Sequence, residues 1–169
     1  MPKLRELFVT RLYEASLHAA KDFAALNGDL EEACQMLAKE DLAGRAWCRA
    51  QGYGGYTSYA SLNDLPQRAT AFADLKRRLD HHVSAFAEDL AFDLGPRGRL
   101  KLDSFWVSLL KPGAAHTGHI HPHSVIPGSQ HFLPAGLGKR REVPVDASRR
   151  RRLGKLKAIL DAAFVVHCR

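Results

Sequence analysis

Apolar positions along the chain fall into two periodicities. From about Ala69 to Phe92, Phe72, Leu75, Leu79, Val83, Phe86 and Leu90 recur at three- and four-residue spacing, with Lys76, Arg77, Asp80, Ser84 and Glu88 largely elsewhere. That stripe predicts one long amphipathic helix with a single core-facing side. His82 lies beside the stripe and reads as a packing residue, whereas His81 faces solvent; the Lys76–Arg78 run reads as a solvated face. From Leu100 to Leu110 the pattern changes: Leu100 and Leu102 alternate with Lys101 and Asp103, then both faces turn apolar around Trp106. This predicts a strand that passes from half-buried to fully buried. Gly95–Pro96 and Pro112–Gly113 bracket it as turns.

The N-terminal third is less regular. Leu7 to Ala15 reads as a strand, and Ser16 as the cap of a short helix that Asn27–Gly28 would stop near Ala25. Asp29 and Glu32 have capping-box spacing, and Leu30, Ala33, Cys34 and Leu37 repeat helically, predicting a second helix that ends near Lys39. Trp47 and the GYGGY run at 52–56 read as loop, its glycines permitting tight turns and its tyrosines anchoring it. The run lacks GxxxxGK[ST] and a preceding strand, so phosphate binding is not expected. Near the C-terminus, Leu153, Leu156, Ile159, Leu160 and Phe164 have helical spacing and predict a terminal amphipathic helix.

The stretch from Trp106 to Gly128 carries the candidate chemistry. His116, His119, His121 and His123 fall there, and His131 lies just beyond. In an extended strand His119, His121 and His123 share one face, with Val125 after them, and imidazoles two residues apart sit about 6–7 Å apart at Cα. Such a His-x-His pair is a usable chelate for Fe, Zn, Ni or Cu; histidines on a solvated surface are the competing reading.

Residues 104–128, SFWVSLLKPGAAHTGHIHPHSVIPG, resemble the signature W-V-N-x-L-x-P-G-G-x-H-S-G-H-I-H-P-H-S-x-I-S-G of the small bacterial 2-oxoglutarate/Fe(II)-dependent oxygenases. Upstream, GYGGYTSYASLNDLP at 52–66 resembles that family's G-Y-x-G-W-T-S-Y-x-S-L-D-D-L-P, and LFVTRLYEASL resembles its first strand. The resemblance covers about residues 5–128. It implies an α+β fold in which N-terminal helices pack on a double-stranded β-helix (jelly-roll, cupin-like) sheet. It further implies an oxidoreductase, a hydroxylase-type dioxygenase of unknown substrate, with Fe(II) on His119 and His121 and 2-oxoglutarate as cosubstrate. A distal His and an Arg for the far carboxylate of 2-oxoglutarate complete the family's site, because a planar guanidinium matches a carboxylate bidentately.

After Gly128 the expected Y-Y-V strand is replaced by SQHFLPAG, and the family's E-D-P-R turn and closing His…Arg are absent. His131 and His167 are the remaining downstream histidines, and Arg169 follows His167 at the wrong spacing. Pro127 stands where the family has Ser, removing a ladder donor. Charge changes at the same place. Residues 1–128 hold 15 Lys and Arg against 15 Asp and Glu, whereas residues 129–169 hold 10 against 3, so the whole +7 lies in the last quarter. These breaks divide the chain into an oxygenase-like part, 1–128, with the first barrel strands, and a basic, atypical tail, 129–169. An out-of-frame replacement near residue 127 would produce that division and leave the sheet incomplete, inactive and prone to self-association through its open edges.

Composition narrows the remaining classes. A chain of 169 residues, 46% hydrophobic, fits one domain with a real core, and no apolar run is long enough to span a membrane. Cys34, Cys48 and Cys168 lack CxxC spacing, and an odd, sparse count suits a reducing cytoplasm. Arg149–Arg152 could touch nucleic acid, but no aromatic platform or binding motif accompanies them, so nucleic acid is not an expected partner. Two readings besides the oxygenase remain open: a non-enzymatic protein whose His116, His119, His121 and His123 hold Zn or Ni, and a basic-tailed interaction protein.

Overall fold

The strand over Gly98–Leu110 changes its inward-facing parity halfway along, and the rest of the fold is arranged on either side of that change. A computed structural model describes residues 9–96, 98–115, 121, 124–132 and 157–168. In chain order they form α1 (Phe23–Glu40), α2 (Leu42–Ala50), β1 (Gly55–Thr57), α3 (Leu65–Arg68), α4 (Thr70–Asp89), β2 (Gly98–Leu110), β3 (Ile126–Phe132) and β4 (Lys157–Cys168). The strands make one antiparallel sheet in the order β1-β2-β4-β3. The architecture is α+β: helices from the first half of the chain lie on one face of that sheet.

In β2, Leu100 and Leu102 pack toward the helices while Arg99, Lys101 and Asp103 are exposed. The β2–β4 register then shifts between Leu102 and Ser104. One extra residue reverses which parity faces the core. Beyond the bulge Phe105, Val107 and Leu109 join the helix-side core, and Trp106, Ser108 and Leu110 are buried on the opposite face. The all-apolar second half of the strand is thus buried on both sides.

Helix α4 matches its stripe: Phe72 and Leu75 are fully buried, with Leu79, Val83, Phe86 and Leu90 against the core's margin. Phe72 meets Phe105 of β2 edge to face, centroids 6.1 Å apart. The helix ends before Phe92. The Ala91 N–H bonds the Glu88 carbonyl and the Phe92 N–H bonds that of Ala87, a Schellman closure that requires a left-handed residue at position 91. Alanine occupies it at φ 53°. Ala91→Gly is therefore expected to raise stability by about 1 kcal/mol, read as a higher urea midpoint at unchanged slope. A lower midpoint would contradict this ending.

Several N-terminal expectations are corrected. Residues 9–15 form no strand: Leu12 is 81% exposed, and Tyr13 docks the segment on α4 through its hydroxyl, 3.0 Å from His82 Nδ1, and its ring, 5.3 Å from Phe86. The helix expected to stop at Asn27–Gly28 runs through them, and Asp29 and Glu32 lie inside it, so neither Ser16 nor the capping box starts a helix. Buried Leu26, Leu30 and Cys34 lie on one side of the continuous helix. Packing along that side outweighs the roughly 1 kcal/mol that a mid-helix glycine costs.

Trp47 lies in α2, not in a loop. The GYGGY stretch then divides its work. Gly52 takes φ +62°, and the Gly52 and Tyr53 N–H groups bond the Arg49 and Cys48 carbonyls, closing α2 by the same Schellman pattern. Gly55 lets β1 approach β2: a Cβ there would sit 2.0 Å from the Leu109 carbonyl oxygen.

The amphipathic helix expected over 153–164 is corrected from residue 157 on, since 157–168 form β4, paired with β2 on one side and β3 on the other; residues 153–156 lie outside the described residues. A short, nearly continuous apolar run reads alike as helix or central strand, and pairing on both edges decides between them. Residues 129–132 complete β3, so the basic C-terminal part joins the rest of the chain through the sheet. Pro127 fits because β3 is an edge strand of the sheet among the described residues, where a missing N–H leaves no central rung open.

Candidate functional site

Two segments singled out by their motifs meet at one end of the sheet. Gly55, Tyr56 and Thr57 of β1 pair with Leu110, Leu109 and Ser108 of β2. Beyond β1 the ladder continues through a side chain: Ser58 N–H bonds the Val107 carbonyl at 3.0 Å, and the Val107 N–H bonds Ser58 Oγ at 3.1 Å. Ser108 Oγ donates to Thr57 Oγ1 at 3.1 Å, so three buried hydroxyl residues lock the two motifs together.

Aromatic rings link α2 through this junction to the side of β2 that carries Trp106. Trp47 and Tyr59 are edge to face at 6.2 Å, Tyr59 and Trp106 at 5.3 Å, and Trp106 stacks on His121 at 5.5 Å with 21° between planes. Trp106 is 7% exposed and Tyr59 62%, so the run reaches from a buried indole to open solvent.

Of the metal pair, His121 is placed and His119 lies outside the described residues, as do His116 and His123. The expectation of a regular histidine strand is corrected at both ends of its described part. Neither His121 nor Ser124 is in a strand, the Ser124 N–H bonds the His121 carbonyl at 3.2 Å, and β3 begins only at Ile126. That bond ties the His121 and Ser124 backbones together. Face-sharing by strand alternation therefore does not describe His121. Its imidazole is oriented by the stack on Trp106. Imidazole remains a suitable donor for Fe(II). Among the described residues, no three His, Cys, Asp or Glu side chains group as a metal site.

The other titratable groups have structural partners. Asp41, between α1 and α2, accepts from the Gly44 N–H at 2.8 Å, Tyr56 Oη at 2.9 Å and Ser61 Oγ at 2.5 Å. Partial burial pushes its carboxyl up, but the bonds from Ser61, Gly44 and Tyr56, with the Arg68 charge, outweigh this and hold it below the ordinary carboxylate value. Burial, then the bond to Asp41, pushes the Tyr56 phenol up, so it stays a proton donor. Burial and the neighbouring Glu31 raise the Cys34 thiol to about 12, and Cys48 Sγ accepts the Thr57 N–H at 3.2 Å. The Cys34 thiol is therefore not a nucleophile at neutral pH. The Asp41 junction was missed from sequence; GYGGYTSY followed by Ser61 held its signal, but only folding brings Asp41 to those hydroxyls.

No known family model matches the chain, and no curated protein sequence matches it either. Among the described residues no helix is long and apolar enough to cross a membrane.

Proposed function

We propose that the chain derives from the 2-oxoglutarate/Fe(II)-dependent oxygenases and that His119 and His121 hold Fe(II), with 2-oxoglutarate as cosubstrate. The observation that carries the reading is the meeting of the two resembling motifs, GYGGYTSY and WVSLL, on the sheet face where His121 stacks on Trp106. An antiparallel sheet with helices on its other face is compatible with the double-stranded β-helix of that family. Bound Fe(II) would couple oxidative decarboxylation of 2-oxoglutarate to oxidation of a second substrate. This chain's part is to present the His121 imidazole beside the buried Trp106 indole.

A second reading has its own support: four histidines within residues 116–123 can hold Zn or Ni with no cosubstrate. One experiment separates the two. The full chain, loaded anaerobically with Fe(II), is given 2-oxoglutarate and oxygen, and succinate is measured beside bound metal. Succinate that depends on both additions, and is lost in His119→Ala/His121→Ala, is the result expected of the oxygenase. Metal retained without succinate, and lost in the double variant, favours the binding protein. Metal binding unaffected by the double variant would sink both.

A further inference from the structure

We propose that Trp106 is a positioning residue for His121, an indole wall that fixes the plane in which this imidazole offers its nitrogens to a metal ion. The proposal rests on the metal reading above and adds to it the residue that prepares the ligand. An imidazole coordinates through a lone pair lying in its ring plane, so the orientation of that plane decides where an ion can sit.

Here the plane is set from two directions. The ring lies 5.5 Å from the Trp106 indole and within 21° of parallel to it. The backbone beneath it is closed by the Ser124 N–H on the His121 carbonyl at 3.2 Å.

The wall itself is immobile for identifiable reasons. Trp106 is 7% exposed and stands in the second half of β2, where Phe105 and Val107 on either side are buried in the core. Tyr59 meets it edge-on at 5.3 Å and 74°, and Trp47 lies against Tyr59 at 6.2 Å and 61°. A ring stacked within 21° of parallel on so constrained a surface directs both nitrogens alongside the indole plane, not into it. Metal binding then orders less, and affinity rises for that reason. Ligating imidazoles are commonly oriented by a hydrogen-bonded carboxylate or carbonyl. At His121 an aromatic contact supplies orientation of the same kind.

The test uses Co(II) as probe on the full chain. In Trp47→Phe, Trp106 is the one indole left of the chain's two. Saturable quenching of its fluorescence by Co(II), abolished by adding His121→Ala, is the expected result. By calorimetry Trp106→Leu is expected to weaken Co(II) binding about tenfold, and Trp106→Phe, which keeps a ring to stack on, to recover most of it. Unchanged affinity in a folded Trp106→Leu protein overturns the proposal. Should that variant not fold, Trp106→Phe and the quenching decide, and saturable Co(II) binding that leaves Trp106 emission unaltered overturns it. Failure of the parent chain to bind Co(II) at all removes the metal reading together with the proposal. That result is distinguishable from binding indifferent to Trp106.

Discussion

Phe72→Ala is expected to lower unfolding free energy by about 3–5 kcal/mol, a large share of the 5–15 kcal/mol typical of a domain. The ring is fully buried in α4 and meets Phe105 of β2 edge to face. Truncation removes its transfer free energy and leaves a cavity between helix and sheet, because strand pairing on β2 prevents the sheet from collapsing into the gap. Phe72→Leu keeps most of the volume and should cost much less. Urea denaturation of Phe72→Ala, Phe105→Leu and the double variant would give a coupling of about 0.5–1.5 kcal/mol beyond area burial. A loss under 1 kcal/mol for Phe72→Ala would contradict the packing of α4 on the sheet.

Asp41→Ala has the next largest expected effect, about 2–4 kcal/mol. It deletes the cap on α2, a loss of about 1 kcal/mol, and strands the hydroxyl of Tyr56, which is 6% exposed, for about 1–3 kcal/mol more. Asp41→Asn keeps a capping oxygen and separates charge from geometry. The sign of the pH effect follows from the depressed folded-state carboxyl. Its contribution is complete above the unfolded value near about 3.9 and is lost as pH falls through the lower folded value. The stability gap between wild type and Asp41→Asn, measured in urea from pH 7 to pH 2, should therefore be widest near neutrality and narrow below about pH 4. A gap independent of pH would mean that the charge is immaterial there.

Legibility differed between segments for physical reasons. The α4 stripe, the β2 alternation and the turn at Pro112–Gly113, where Gly113 takes φ 82°, were readable because each depends on neighbours within a few residues. Cys34 and Cys48 are both buried, as cysteine most often is. The helical spacing of residues 153–164 misled, because a run of alanine and aliphatic residues satisfies both periods until strands pair on each side. At the candidate site the sequence named His119 and His121 as a pair but supposed strand alternation to align them. At His121 a backbone bond from Ser124 and a ring contact set the orientation instead.

By itself, the sequence determined the class of the fold, its longest helix and strand, and the histidine motif on which the proposed metal pair rests. Tertiary structure decided the rest. The bulge after Leu102 chooses which parity of β2 faces the helices, Asp41 becomes a junction only when Tyr56 and Ser61 reach it, and Trp106 becomes His121's wall only when the chain returns from Pro112. Periodicity is a property of neighbours in the chain. These three outcomes depend on contacts between residues 15 or more positions apart, where burial and pairing energies outweigh local preference.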